Sequence, residues 1–182
     1  MADNFPNVRS PWIFATAAAA LLLVWLRPKK ARAHVVGGKV SLPPGGRFGP
    51  KNPHRPGHKG IDLFGKEGTP IYAAAGGVVT FSGIISGYGE SVAITLPSGE
   101  RNLYTHLRTR DVKKGDRVAT GQQVGELGRT ANGKCGRYFC TSPPHLHFEV
   151  ITDAGPINRS RSRVDPEKWL AANAAAPALV VT

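Results

Sequence analysis

A mostly β domain, antiparallel and sandwich-like, with a hydrophobic helix before it and a short helix at its end, is the architecture that the sequence predicts. Three observations carry this. From Ser41 onward the chain is a succession of short runs rich in Val, Ile and Thr, cut by Gly and Pro, which is the pattern of strands between tight turns. The composition agrees, with 22 Gly and 15 Pro among 182 residues. Only two stretches read as helix, an uncharged apolar run at residues 12–26 and a short run after Asp165. A chain of this length has room for one domain with a sizeable core and an appendage.

In chain order, residues 1–11 are polar and are expected to be loose. Residues 12–26 would form a helix of roughly 22 Å, short of the ~30 Å hydrocarbon core of a bilayer. That length suits a signal-peptide core or a short membrane anchor, with Trp12 and Trp25 at the interfaces. A buried core helix fits less well, because the segment is apolar all round. Ala31-Arg32-Ala33 resembles a small-x-small cleavage site, although Arg27, Lys29 and Lys30 in front of it are unusual for one. The expected organisation is therefore a signal or anchor segment at 1–33, a linker at 34–41, a folded domain at 42–170 and a disordered tail at 171–182. His34 falls in the linker and reads as solvated.

Within the domain, strands are expected at 70–81, 91–96, 102–107, 118–127 and 145–151. Tyr88-Gly89-Glu90 and Pro97-Ser98-Gly99-Glu100 read as turns, the second closing a hairpin. The final helix starts with Asp165 as N-cap and Pro166 at its first position. No internal repeat is evident.

The formal charge is +12, from 24 Lys and Arg against 12 Asp and Glu. Such a chain suits an anionic surrounding, whether nucleic acid, acidic lipid or an acidic wall polymer. The basic residues cluster in flanks and loops, at 27–32, 108–114 and 159–163, with no interleaved aromatics on which bases would stack. No specific nucleic-acid partner is expected, and a monomer is. Cys135 and Cys140 suit a small-loop disulfide in an exported protein and two reduced thiols in a cytosolic one. A zinc site built on both thiols would lack its second ligand pair.

The chemistry concentrates in Pro143-Pro144-His145-Leu146-His147-Phe148-Glu149-Val150. As a strand, it sends His145, His147 and Glu149 to one face and Leu146, Phe148 and Val150 to a core. Two imidazoles side by side suit a metal such as zinc. A solvated pair that binds nothing is the other reading, and Glu149 alone reads as a solvated carboxylate with a supporting role as the alternative. A second phrase, His58-Lys-Gly-Ile-Asp62, puts an imidazole and a carboxylate four residues apart on one side of an extended segment. An ordinary surface ion pair would look the same. Pro56 argues against a helical His54/His58 pair. The third phrase is Tyr104-Thr-His106-Leu107, where strand alternation would put Tyr104 and His106 on one face.

Together, H-x3-D, Y-x-H-L and H-L-H-F-E resemble the lysostaphin-like (LytM-type) zinc endopeptidases. The resemblance extends to Gly45-Gly-Arg-Phe-Gly-Pro50, to Gly68-Thr-Pro-Ile-Tyr-Ala-Ala-Ala-Gly-Gly-Val-Val79 and to Val164-Asp-Pro166, so it covers roughly residues 42–170. It implies zinc as cofactor, held by His58, Asp62 and His147, with His106 and His145 as unligated catalytic histidines. Three protein ligands and one open position are what a catalytic zinc uses. The implied reaction is hydrolysis of peptide cross-bridges or stem peptides in bacterial peptidoglycan by a zinc-activated water that two histidines assist. The alternative is a non-catalytic peptidoglycan-binding or regulatory module on the same fold. Relatives often carry a tyrosine upstream of the first ligand, where this chain has Phe48 and Asn52. A further resemblance links Val112-Lys-Lys-Gly-Asp-Arg-Val118 and Gly121-Gln-Gln-Val-Gly125 to the turn of biotinyl and lipoyl carrier domains, implying a related hybrid scaffold. The implied location is the cell envelope, anchored or exported. The basic cluster after residue 26 conflicts with this, since it favours a cytoplasmic C-terminal domain. A phage lysin, carried in a virion or delivered at lysis, would escape the conflict.

Overall fold

The computed structural model describes residues 35–131, 141, 143–157 and 159–173. The apolar run at 12–26, His34, both cysteines and the tail from 174 fall outside these residues. Among the described residues no helix is long and apolar enough to cross a membrane.

Among the described residues there are nine strands: β1 (Ile61–Phe64), β2 (Pro70–Tyr72), β3 (Gly77–Ile85), β4 (Gly89–Thr95), β5 (Arg101–Arg110), β6 (Arg117–Val118), β7 (Gln123–Leu127), β8 (His145–Ile151) and β9 (Arg163–Val164). All pairings are antiparallel. They form one branched hydrogen-bonded network, in the order β1-β8-β5-β4-β3-β6, with β7 joining β2 to β5 and β9 lying on β8. The network is continuous because β5 changes partner along its length, pairing with β8 up to Thr105 and with β7 from Leu107.

Two expected strands are each divided. Residues 70–81 become β2 and β3, and residues 118–127 become β6 and β7, because each half pairs with a different neighbour. The breaks are tied to each other, with Ala73 N–H donating to the Gln122 carbonyl and Gly121 N–H to that of Ala73, both at 2.8 Å. The β4–β5 hairpin closes as expected, Leu96 N–H donating to Glu100 O at 2.8 Å, and Gly99 takes a φ of 90° that a side chain would resist. The β3–β4 turn lies at residues 86–88, slightly earlier than expected, and β4 already begins at Gly89. The two-residue strand β9 has no signal of its own in the sequence.

Helix α1 (Pro166–Asn173) starts as its sequence suggests, with the Glu167 N–H donating to Asp165 Oδ1 at 3.0 Å. It buries Trp169 and Leu170 against the main core. Residues 35–41, a linker by composition, pack into that core too. Val35, Val36 and Val40 are buried, and Val36 and Ser41 form bridges to Ile71 and Phe64.

Leu146, Phe148 and Val150 of β8 enter the main core, where the Phe148 and Tyr104 rings lie 5.1 Å apart. Here one expectation is corrected. Tyr104 and His106 do not share a face. The β4–β5 register runs from Val92↔Tyr104 to Glu90↔Leu107, so β5 carries one extra residue. That bulge returns Leu107 to the core beside Tyr104 and turns His106 out of it. His106 has a φ of 59°, the only positive value at a non-glycine among the described residues.

Tyr104 is fully buried, and its hydroxyl accepts the Ala74 N–H at 2.8 Å. Tyr104→Phe leaves that N–H without a partner, and the expected cost is about 1–3 kcal/mol. Urea denaturation of the two proteins measures it, and an unchanged midpoint would show that this bond contributes nothing.

Candidate metal centre

Three adjacent strands supply most of the site. β8 lies between β1 and β5, and the register sets Asp62 directly opposite His147 on one side and Thr105 opposite it on the other. Directly opposed side chains share a face and touch. His58 comes from the loop before β1. Asn52, buried, shapes that loop: its Oδ1 accepts the N–H groups of His54 and Arg55 at 2.9 and 2.8 Å, and its Nδ2 donates to Gly45 O at 2.6 Å. Gly60 lets the loop lie flat on β8, since a Cβ there would stand 3.0 Å from both His147 Cε1 and Glu149 Cγ.

The result is a convergence of donor atoms. His147 Nδ1 lies 2.7 Å from Asp62 Oδ1 and 3.2 Å from His58 Nε2, and His58 Nε2 lies 3.1 Å from Asp62 Oδ1. One ligand atom from each residue falls within 4.8 Å of the others, and all three residues are buried. The second carboxylate oxygen of Asp62 accepts Arg55 Nη2 at 2.5 Å. His145 and His106 complete the group. His145 Nε2 lies 3.9 Å from Asp62 Oδ1, and the His106 and His145 rings are 4.8 Å apart. All five residues line one cavity of about 650 Å³.

Each imidazole is oriented by an acceptor on its far side. Nδ1–H of His58 donates to Arg47 O at 2.8 Å, that of His106 to Thr130 O at 2.6 Å, and that of His145 to Pro143 O at 2.9 Å. A carbonyl only accepts, so these bonds assign the proton to Nδ1 and leave Nε2 as a lone pair facing the cavity. His147 is reversed. Its Nε2–H donates to Glu149 Oε1 at 3.0 Å, which turns Nδ1 toward Asp62 and His58. Four rings therefore present four nitrogens inward. Two imidazole nitrogens and one carboxylate oxygen, each backed by a second hydrogen bond, fit a divalent transition metal.

Glu149 overturns the solvated reading. It is completely buried, because β8 is covered on both faces along its whole length. Its Oε1 accepts Tyr88 Oη at 2.9 Å as well as His147, and its Oε2 accepts Arg163 Nε at 2.5 Å. Arg163, Tyr88 and Thr130 are functional neighbours that the sequence did not single out. Each is an ordinary residue type, in a turn (Tyr88), at an isolated bridge (Thr130) or in the two-residue strand β9 (Arg163), and packing alone makes it relevant. Thr130 clamps the bulge, its hydroxyl donating to Leu107 O and accepting from Glu90 N–H at 2.8 and 2.9 Å. Phe48 and Asn52 bring no hydroxyl to the site, and His54 is exposed in a turn, outside any helix.

The electrostatics follow from burial and pairing. Burial alone would raise Asp62, but in the metal-free protein a proton on the facing nitrogen of His147, and then of His58, holds it well below the usual carboxylate range. Burial opposes charge on His147, and its bonds to Asp62 and Glu149 outweigh that, raising it to about 9. Burial, helped by the nearby His147 and His145, pushes His106 down to about 4, and burial likewise lowers His145.

Peptidase family M23 matches residues 56–159. Over 101 residues the chain is 39% identical to DD-carboxypeptidase/endopeptidase Mpg of Neisseria meningitidis, covering 56% of this chain and 21% of that protein. It is 33% identical over 115 residues to glycyl-glycine endopeptidase ALE-1 of Staphylococcus capitis, covering 62% of this chain and 29% of that one. The chain thus spans about a fifth to a third of these relatives. Among solved structures, the catalytic domain of lysostaphin from Staphylococcus simulans superposes with a TM-score of 0.55 at 28% identity, covering 75% of this chain and 91% of that one.

A two-sided pH dependence is expected of the chelator-stripped protein. Below the ordinary histidine value of 6.5, the unfolded chain takes up protons that His106 and His145 resist, so stability falls toward pH 4. The raised His147 contributes fully below 6.5 and loses that contribution as the pH climbs to about 9. Thermal melts across this range should peak near neutrality, and a curve that rises or falls throughout would contradict these couplings.

Proposed function

The chain belongs to peptidase family M23, and from that premise we propose a zinc-dependent endopeptidase, residues 42–170, that hydrolyses peptide cross-bridges or stem peptides of bacterial peptidoglycan. One observation carries the reading: three metal-competent atoms and two further imidazole lone pairs face a single cavity. His58, Asp62 and His147 would hold the ion. When bound, zinc supplies Lewis acidity, acidifying a water molecule and polarising the scissile carbonyl. His106 and His145 stay neutral at pH 7, so each offers Nε2 as a proton acceptor. One takes the proton of the attacking water and returns it to the leaving amine. The other accepts a hydrogen bond from the water at its own Nε2 and so orients it for attack. Arg55 restrains the free oxygen of Asp62, and Glu149 keeps His147 in the tautomer that ligation needs.

On the same reading the domain works in the cell envelope as a monomer. Residues 1–33 serve as its signal or anchor, with 12–26 in the membrane, and a phage-encoded lysin fits the basic flank. The turn at 112–125 supports kinship with the biotinyl and lipoyl scaffolds. The charge of +12 suits an anionic envelope, with no specific nucleic acid involved.

Isolated peptidoglycan treated with the zinc-loaded protein should release peptide-cleaved fragments, seen by mass spectrometry, and a chelator or His147→Ala should abolish release. His106→Ala and His145→Ala should each lower kcat by about 10²- to 10⁴-fold with the ion retained. A folded, loaded protein that releases nothing would instead be a binding module. Independently, Glu149→Gln should weaken metal affinity by about 10- to 100-fold in competition with a chromophoric chelator.

A further inference from the structure

The metal-centre cavity has a neighbour. A second cavity of about 540 Å³ shares the wall Gly57-His58-Lys59 with it, so a ligand of the metal centre separates the two. Among the described residues, the second cavity is lined by Lys59, Arg159, Arg161 and Arg163 and by no acidic residue. Arg163 is engaged by Glu149. Lys59, Arg159 and Arg161 are exposed, and none has an ion-pair partner among the described residues.

These cations stand on an ordered support. Arg163 donates to the carbonyls of Ser160 and Ile157, and Ser160 Oγ donates to Asp153 Oδ2 at 2.6 Å. The loop bearing Arg159 and Arg161 is therefore tied to Glu149, the carboxylate that also orients His147. Three unpartnered cations at the mouth of a cleft create a positive field with no internal compensation. Guanidinium groups suit carboxylates, which they can bind through paired hydrogen bonds.

We propose that this cleft is an anion subsite of the same enzyme, built to take a free carboxylate that the substrate peptide carries close to its scissile amide. The proposal rests on the endopeptidase reading and narrows it: the preferred substrate is an acidic peptide, not a neutral bridge such as oligoglycine.

The test uses the full zinc-loaded chain and two synthetic branched peptides, identical except that the carboxylate beside the scissile amide is free in one and amidated in the other. The acid form should be cut with the higher kcat/KM, mainly through a lower KM. Arg159→Ala/Arg161→Ala should reduce that preference by about tenfold while leaving turnover of the amide unchanged. Added salt should weaken the preference in the native protein, a readout that does not depend on the variant folding. Equal cutting of both peptides overturns the subsite and leaves the endopeptidase reading standing. If neither is cut, binding to the His145→Ala protein by titration calorimetry decides: tighter binding of the acid supports the subsite without the activity, and equal binding overturns it. Arginine-dependent binding of a glycerol phosphate oligomer, with no difference between the peptides, would also overturn it, making the cleft a wall-polymer site.

Discussion

Glu149 and Arg163 form an ion pair in the interior, with side-chain exposures of 0% and 4%, and the site depends on it. A charge so placed is costly unless its hydrogen-bonding capacity is filled. Here it is filled: Glu149 accepts from His147, Tyr88 and Arg163, and Arg163 also reaches two backbone carbonyls. The pair thereby links the ring orientation of His147 and the loop after β8 to the turn bearing Tyr88, which lies far away in sequence. Removing one partner would leave the other charge buried and uncompensated, so the metal centre and the fold around it are coupled.

The second determinant is strain. His106 occupies a left-handed backbone conformation that costs a non-glycine residue about 1–3 kcal/mol. The bulge holding it is stabilised by Thr130 and by the His106 N–H bond to Tyr88 O at 2.9 Å. A regular strand would have sent His106 into the apolar core with Tyr104. The bulge instead adds an imidazole to the face that already carries His145 and His147. Strand pairing then sets the spacing of these groups, and hydrogen bonds on their far sides set their tautomers. Little of this geometry rests on flexible side chains alone.

The strong polarity of the site is confined to a small volume. Asp62 and Glu149 are held ionised and His106 and His145 neutral within one cluster, so proton acceptors and metal-competent atoms coexist near neutral pH. Outside it, the surplus of basic residues gathers partly at the neighbouring cleft, next to His58. Charge that composition alone could assign only to a general anionic surrounding acquires a location.

Features set by near neighbours along the chain can be read from the amino-acid order. Alternation in β8 identified His145, His147 and the core residues between them, the Asp165 cap identified the last helix, and Pro97 to Glu100 identified a hairpin. The five site residues that line the cavity stood out because their three short phrases resemble those of a known family. Features that depend on distant partners became definite in the folded chain. Where β2 parts from β3 and β6 from β7 was settled by pairing, and the placing of residues 35–41 by burial in the core. The facing of His106 required a bulge defined by β4, and the burial of Glu149 required Arg163 and a second covered face of β8. Local patterns encode which way a regular strand points its side chains, whereas bulges, registers and buried charge pairs exist only once distant segments meet.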